Sequence, residues 1–561
     1  MKFRLAIPSK KRKMKIVMKS STESVYILII FAQIKIESMK KSLQTILALT
    51  TIIAGFTLEV NAQRYVTEIF PAASKAANIT YGNNITVIGA LAGGGPAPQD
   101  LKMDVYTPAG APDPLTQRPL VIIMHTGSFL PPVINGQPTG SKSDSTIVAM
   151  CTQFAKRGFV AAAMTYRQGW NPQATGPTGQ DIRTGTLLQA VYRGLQDAKA
   201  CVRYNRAIAD TGGNPYGIDP TKIILGGVGT GGYIALAYST LDDTTEISLP
   251  KFLANSNNAT YGFTAGQSYI NQGLLGDFDG FGGIPQLNNP NNSPGYSSDV
   301  QFVFNMGGAL GDTSWTSAGD APTVAFHVVG DPFAPYGVGS VVVPTTGDFV
   351  VEVGGSREAV RLAFDYGNNN CFANAGFTDA LTTYANTVNE GYEGLYPFFT
   401  SPAQQAGPWE WYDSTATVFY SSFLPPPYNT QGGVAYSNSI LTNPDMSKAK
   451  ALAYIDTVMG YMNPRIVYCL NLSTGLNDDL ISESGISFLP NPAIERTTIS
   501  TSKKELIRAV SVFDIMGKQV YFQNQIDQPS VVLERNQLEA GVYLVKVNLD
   551  RGVATSRVIF R

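Results

Sequence analysis

The feature that most constrains this chain is a set of short, uninterrupted apolar runs through its middle: Pro119 to Met124, Phe159 to Met164, Lys222 to Leu225 and Thr323 to Val329. Runs this short, without polar alternation, suit strands covered on both faces, as in a parallel sheet. Between them lie stretches with helical spacing. Ile147 to Arg157 ends at Gly158, a helix stop; Leu187 to Ile208 is long; Tyr233 to Tyr238 follows directly on a group of glycines. Leu101 to Tyr106 alternates as an early strand, and Lys448 to Met462 reads as a closing helix. Strand and helix in alternation predict an α/β fold with a doubly wound, mostly parallel sheet.

A chain of 561 residues is too long for one ordinary domain. With 44% hydrophobic and 15% charged residues it has the apolar material for a large core. The net charge of -1 and the lack of any basic block beyond the N-terminus argue against a nucleic-acid partner. No later run reaches the roughly 18 apolar residues of a membrane span. At the N-terminus, Met39-Lys40-Lys41, the apolar Leu43 to Phe56 and Val60-Asn61-Ala62 have the three parts of a secretory signal peptide. Residues 1–62 are therefore expected to be leader, with Met39 the true start. Export opens the way to disulfides among Cys151, Cys201, Cys371 and Cys469. Three connectivities are possible, and Cys151 and Cys201 equally suit buried apolar positions. No metal-ligand spacing is seen, and no cofactor is expected. Asp277-Phe278-Asp279-Gly280 lacks the glutamate that would complete a calcium loop and reads as a solvated turn. Two polar excursions, 249–298 and 392–436, lie where α/β enzymes carry lids and binding loops. The second holds Trp409 and Trp411, suited either to a carbohydrate platform or to packing the loop onto the sheet.

Several segments between Asp104 and Leu472 resemble secreted carboxylesterase and lipase-like proteins of the α/β-hydrolase fold. Pro119 to Phe129 is similar to the strand and His-Gly-Gly oxyanion loop, with Thr126 in place of the first glycine. Asp197 to Arg203 looks like the helix before the nucleophile, and Ile223-Ile224-Leu225-Gly226-Gly227 like the strand that leads to it. Phe326 to Tyr336 resembles the strand and loop that deliver the acid, here Asp331. The resemblance implies a hydrolase domain over 63–476, an oxyanion hole from Gly127, Ser128 and Thr230, and no cofactor. It also exposes two departures. G-x-S-x-G lifts a serine out of a tight strand-to-helix turn, but this chain reads Gly227-Val228-Gly229-Thr230-Gly231, so Gly229 stands at the nucleophile position. The family's base is a histidine after the acid, whereas the two histidines of this chain, His125 and His327, both precede Asp331. Both are expected to be structural rings at strand ends. Glu393 falls near the late loop and is the candidate substitute base.

After a polar linker over 477–484 the composition changes to short alternating strands, which predict a small β-sandwich over 485–561. Leu489-Pro490-Asn491-Pro492, Asp514 to Lys518 and Gly541-Val542-Tyr543-Leu544-Val545 closely resemble the C-terminal sorting domain of type IX secretion cargo. The type IX machinery is then a partner, and the location is extracellular or at the outer cell surface. The expectation is a carboxylesterase-like fold that is inactive as a serine hydrolase, a pseudoenzyme, holding an ester or glycan ligand. The alternatives are an ester hydrolase with a nonstandard site and a surface adhesin that binds glycans through Trp409 and Trp411.

Overall fold

The computed structural model describes residues 64–89, 93–344, 346–472, 485–502, 505–514, 518–536, 538–549 and 552–561. By contacts the chain divides into units 1–61 and 62–561, and all described residues lie in the second. The leader and the linker therefore fall outside the described residues.

Eight strands form the main sheet: β1 (Ala72–Thr86), β2 (Ala97–Ala109), β3 (Arg118–Met124), β4 (Val160–Met164), β5 (Ile218–Val228), β6 (Phe302–Met306), β7 (Thr323–Val328) and β8 (Leu395–Phe398). Their spatial order is β1-β2-β4-β3-β5-β6-β7-β8. The first two strands pair antiparallel, β2 joins β4 antiparallel, and every later pair is parallel. The exchange of β3 and β4 with an antiparallel edge is the order of the α/β-hydrolase fold. The doubly wound reading holds in the parallel part, where helices cover both faces.

Alternate residues of each inner strand go to opposite faces. Leu120, Ile122 and Met124 share a core with Leu195, Ala198 and Val202 of α2 (Gly179–Asp210) and Ile234 and Ala235 of α3 (Thr230–Thr240). Val121 and Ile123 face the other way, against Met150 and Phe154 of α1 (Ser145–Lys156) and Val458 and Met459 of α5 (Lys448–Cys469). Helix α4 (Ser356–Asp365) lies between β7 and β8 in the chain.

Three main-sheet strands were not legible in the apolar pattern. β1 is half exposed and polar, as an edge strand allows. β6 lies just past the first excursion, and β8 contains Pro397, which is tolerated because β8 pairs only with β7. Helix α2 begins well before Leu187, because Asp181 in its first turn is buried by hydrogen bonds from Asn255 and Ser256 and from Tyr269. That first excursion is thus bonded to α2. Within it, Asp277 Oδ1 accepts from the backbone N–H groups of Asp279 and Phe281, the turn expected there.

The C-terminal strands form two antiparallel sheets, of three and four strands. Ile499 and Leu533 of one share a core with Val510, Val545, Val547 and Phe560 of the other, which makes a sandwich. Among the described residues no helix is long and apolar enough to cross a membrane.

Cys371 and Cys469 form a disulfide that closes 98 residues of chain, while Cys151 and Cys201 are free and buried. The expected outcome of replacing Cys371 and Cys469 by alanine is a loss of up to about 4–5 kcal/mol from the chain-entropy term of so long a loop. Denaturant titration of both forms measures it. Two thiols should react with a thiol reagent only after unfolding, because Cys151 and Cys201 are fully buried.

Candidate functional site

The site is built on the turn from β5 into α3. Gly229 lies at φ 53° and ψ −117°, in backbone space that side-chain-bearing residues rarely enter. The flanking glycines are needed for closeness: a Cβ on Gly227 would stand 2.2 Å from the carbonyl carbon of Gly231, and one on Gly231 would stand 2.4 Å from Met124 O. The elbow is therefore present as a backbone. Its nucleophile position is filled from outside: a Cβ on Gly229 would lie 2.1 Å from Thr126 Oγ1. The threonine that replaces a glycine of the oxyanion loop thus occupies the space of the side chain that Gly229 lacks. The two departures read separately in the sequence are one steric event.

The loop after β3 is held from behind. Asn135 Nδ2 donates to the carbonyls of Gly127, Leu130 and Thr139, and Trp170 Nε1 donates to Ser128 O at 2.7 Å. Ser128 and Phe129 take positive φ, 51° and 53°. Tyr166 bridges the loop to the helix, since its hydroxyl donates to His125 O and meets Thr230 Oγ1 at 3.0 Å. Thr230 is the first residue of α3, where backbone donors have no intrahelical partner. Ser128 and Thr230 line the cavity with Gly229; Gly127 lies behind them, against Gly140.

The cavity has a volume of about 150 Å³. One end is apolar, walled by Leu187, Val191, Phe252, Trp315 and Val351. The other end holds Asp331, Trp409, Glu410, Tyr233 and Tyr412. Asp331 Oδ1 accepts from the N–H groups of Phe333 and Ala334, so one oxygen is spent on its own loop. Burial pushes this carboxyl up to about 7 against those two bonds. Burial also raises Glu410, to about 8, helped by the nearby charges of Asp144 and Asp331. Among the described residues no lysine, arginine or histidine lines the cavity. Among the described residues no group of three or more histidines, cysteines, aspartates or glutamates is placed to hold a metal ion.

Both histidines lie outside this wall. His125 Nδ1 donates to Thr126 O at 2.6 Å, and its ring stacks on Tyr166. His327 is fully buried. Its Nε2 faces Ala334 O at 3.1 Å, so Nε2 bears the proton and Nδ1 accepts from Ser356 Oγ at 2.6 Å. That pairing of imidazole and hydroxyl is wholly buried, and neither residue lines the cavity. Burial lowers both rings to about 4, so they are neutral.

One sequence expectation is corrected, and one open alternative is decided. Glu393 does not reach the cavity: it precedes β8 and so sits at the N-terminal edge of the parallel sheet, where its carboxylate accepts from buried Arg465 Nε at 2.8 Å. Parallel sheets build sites at the other edge, at strand C-termini. The carboxylate that does arrive is Glu410, on the loop that leaves β8. It was missed because β8 itself was not recognised. Trp409 is no exposed platform, being 2% exposed and packed on Phe398, and Trp411 is half buried.

Residues 487–561 match the family model of the secretion system C-terminal sorting domain. The chain therefore carries a type IX sorting tail, which implies secretion to the cell surface or the extracellular space. No curated protein matches. Among solved structures the chain is similar to esterase 2 of Thermogutta terrifontis. The form phosphorylated by paraoxon has 20% identity and a TM-score of 0.28, over 48% of this chain and 74% of that one. The native form has 19% identity and a TM-score of 0.27, over 50% and 78%. Similarity this low carries no argument about chemistry, and the fold rests on the strand order above.

Gly229→Ala should cost roughly 1–3 kcal/mol through backbone strain and the clash with Thr126. Thr126→Gly in the same chain should restore part of it, a coupling that denaturant unfolding of the four forms measures. The raised carboxyls also set a pH dependence. The folded state holds protons on Asp331 and Glu410 that the unfolded chain releases near pH 4, so their part of the stability falls as pH rises from there through about 7 and 8. Melting temperature from pH 5 to pH 9 should therefore fall less in Glu410→Gln than in the parent.

Proposed function

We propose that this chain is a secreted α/β-hydrolase-fold protein whose elbow cavity binds a small ligand without serine-hydrolase turnover, a pseudoenzyme. In this reading a signal peptide within 1–62 exports it, 63–476 form the binding domain, 477–484 a linker, and 485–561 the sorting tail. The observation that carries the proposal is the Thr126 hydroxyl packed where a nucleophile's Cβ would stand on Gly229. A serine hydrolase needs a projecting hydroxyl, a base to take its proton and donors for the oxyanion. Ser128 and Thr230, which line the cavity, are the residues that would supply the donors. The hydroxyl is absent from Gly229, and the cavity wall has no imidazole. The loss of triad members typically costs several powers of ten in rate, so binding is the property left to the cavity.

A second reading rests on one observation, the pair Asp331 and Glu410 with pKa values near neutrality at the end of the cavity. Two such carboxyls could work as acid and base on water beside the oxyanion donors. The cavity would then be a nonstandard ester hydrolase with Glu410, not Glu393, as the base. A glycan-binding adhesin built on exposed tryptophans has no such support, given the burial of Trp409.

Purified chain is expected neither to take up a fluorophosphonate probe nor to hydrolyse nitrophenyl esters. Stoichiometric labelling would sink the first reading. Hydrolysis without labelling, lost in Asp331→Asn and in Glu410→Gln, would establish the second.

A further inference from the structure

The cavity has an uneven chemistry. Its apolar end is bounded by aliphatic and aromatic side chains from α2, the first excursion and the strand Phe349–Gly355. Its polar end carries two carboxyls and no positive group. Several buried carboxylates of this molecule have cations, while buried Asp181 is held by neutral donors alone. Asp197 is paired with Arg167 at 2.9 Å, Asp113 with Arg64 at 2.8 Å, and Asp104 with Lys142. Glu410 makes no such ion pair, and Asp331 accepts only from backbone N–H groups. Asp144, close enough to act on Glu410, likewise accepts only from the backbone of Gly140 and Ser141.

A second feature points the same way, toward a missing occupant. The indole N–H of Trp409 has no acceptor, although the residue is 2% exposed and lines the cavity beside Glu410. Buried donors are nearly always paired, and an orphan on a cavity wall is a place for a ligand atom. The rings of Trp409, Tyr233 and Tyr412 add π-faces around the acidic end. Carboxylates, aromatic faces and an apolar channel together are the surroundings of an organic cation with a hydrophobic tail.

We propose that the ligand is a hydrophobic amine: an ammonium head held by Glu410 and Asp331 among the aromatic rings, and an apolar tail along Leu187, Val191 and Phe252. This names the ligand class for the binding reading above and rests on it. The ammonium supplies the positive charge that these carboxyls lack; as a donor-only group it leaves the Trp409 N–H to an acceptor elsewhere on the ligand. A fatty-acid carboxylate is the worst fit, because it brings a negative group to an acidic end where no cation meets it.

The test uses the full chain and three probes with one tail, decylammonium, decanol and decanoate, each below its micelle-forming concentration. The tryptophans of the wall, Trp170, Trp315 and Trp409, provide the fluorescence signal. The expected order is decylammonium first, by about tenfold or more over decanol as a charge-assisted contact allows, with decanoate last. In Glu410→Gln with Asp331→Asn that preference should shrink to about twofold, while decanol binds as before. Equal binding of decylammonium and decanol to the parent chain would overturn the ligand class and leave the binding reading standing. Absence of binding by all three would overturn both. The comparison on the parent chain stands even if the double variant does not fold.

Discussion

The contact between Thr126 and the bare α-carbon of Gly229 is the constraint on which the site depends. A strand that turns at once into a helix can do so only where glycines let backbone approach backbone, as Gly227 and Gly231 do here. That turn normally exists to raise one side chain. In this chain it raises none, and the neighbouring loop has grown a methyl and a hydroxyl into the room. The loop after β3 and the elbow therefore support each other through packing.

The consequences run along the cavity. In a triad the second oxygen of the acid is taken up by an imidazole, which also shields it from other charges. Here the loop after β8 presents Trp409 and Glu410 instead. Asp331 then lies near another carboxyl in a poorly solvated end, and both prefer to keep their protons. The described lining of the cleft thus holds carboxyls and no imidazole or other cation.

Apart from β6, the inner parallel strands were readable because each is buried on both faces, so apolar composition alone marks them. Val160 to Met164 is wholly buried, and so is Thr323 to Val328. The edge strands were not readable, since β1 faces solvent and β8 is interrupted by Pro397. This limit carried straight into the site. Asp331 was found because it follows a buried strand, while Glu410 was missed because it follows an edge strand. Glu393 was chosen by its place in the chain, which does not say at which end of a strand a residue lies. The excursion tryptophans were equally ambiguous, because an indole suits a binding face and a core alike. Only the packing of Trp409 on Phe398 decides between them.

By itself the sequence determined the α/β class, the sorting tail, the absence of a serine at the elbow and the absence of a histidine after the acid. All of these are statements about which side chains exist and in what order. Tertiary structure decided the rest: that Thr126 fills the space beside Gly229, that His327 spends its ring on Ser356 and Ala334, that Cys371 joins Cys469, and that Glu410 joins Asp331. The physical reason is that these are distances between residues far apart in the chain, and such distances are set by how strands order in the sheet. The local pattern that marks a strand as buried does not carry that order.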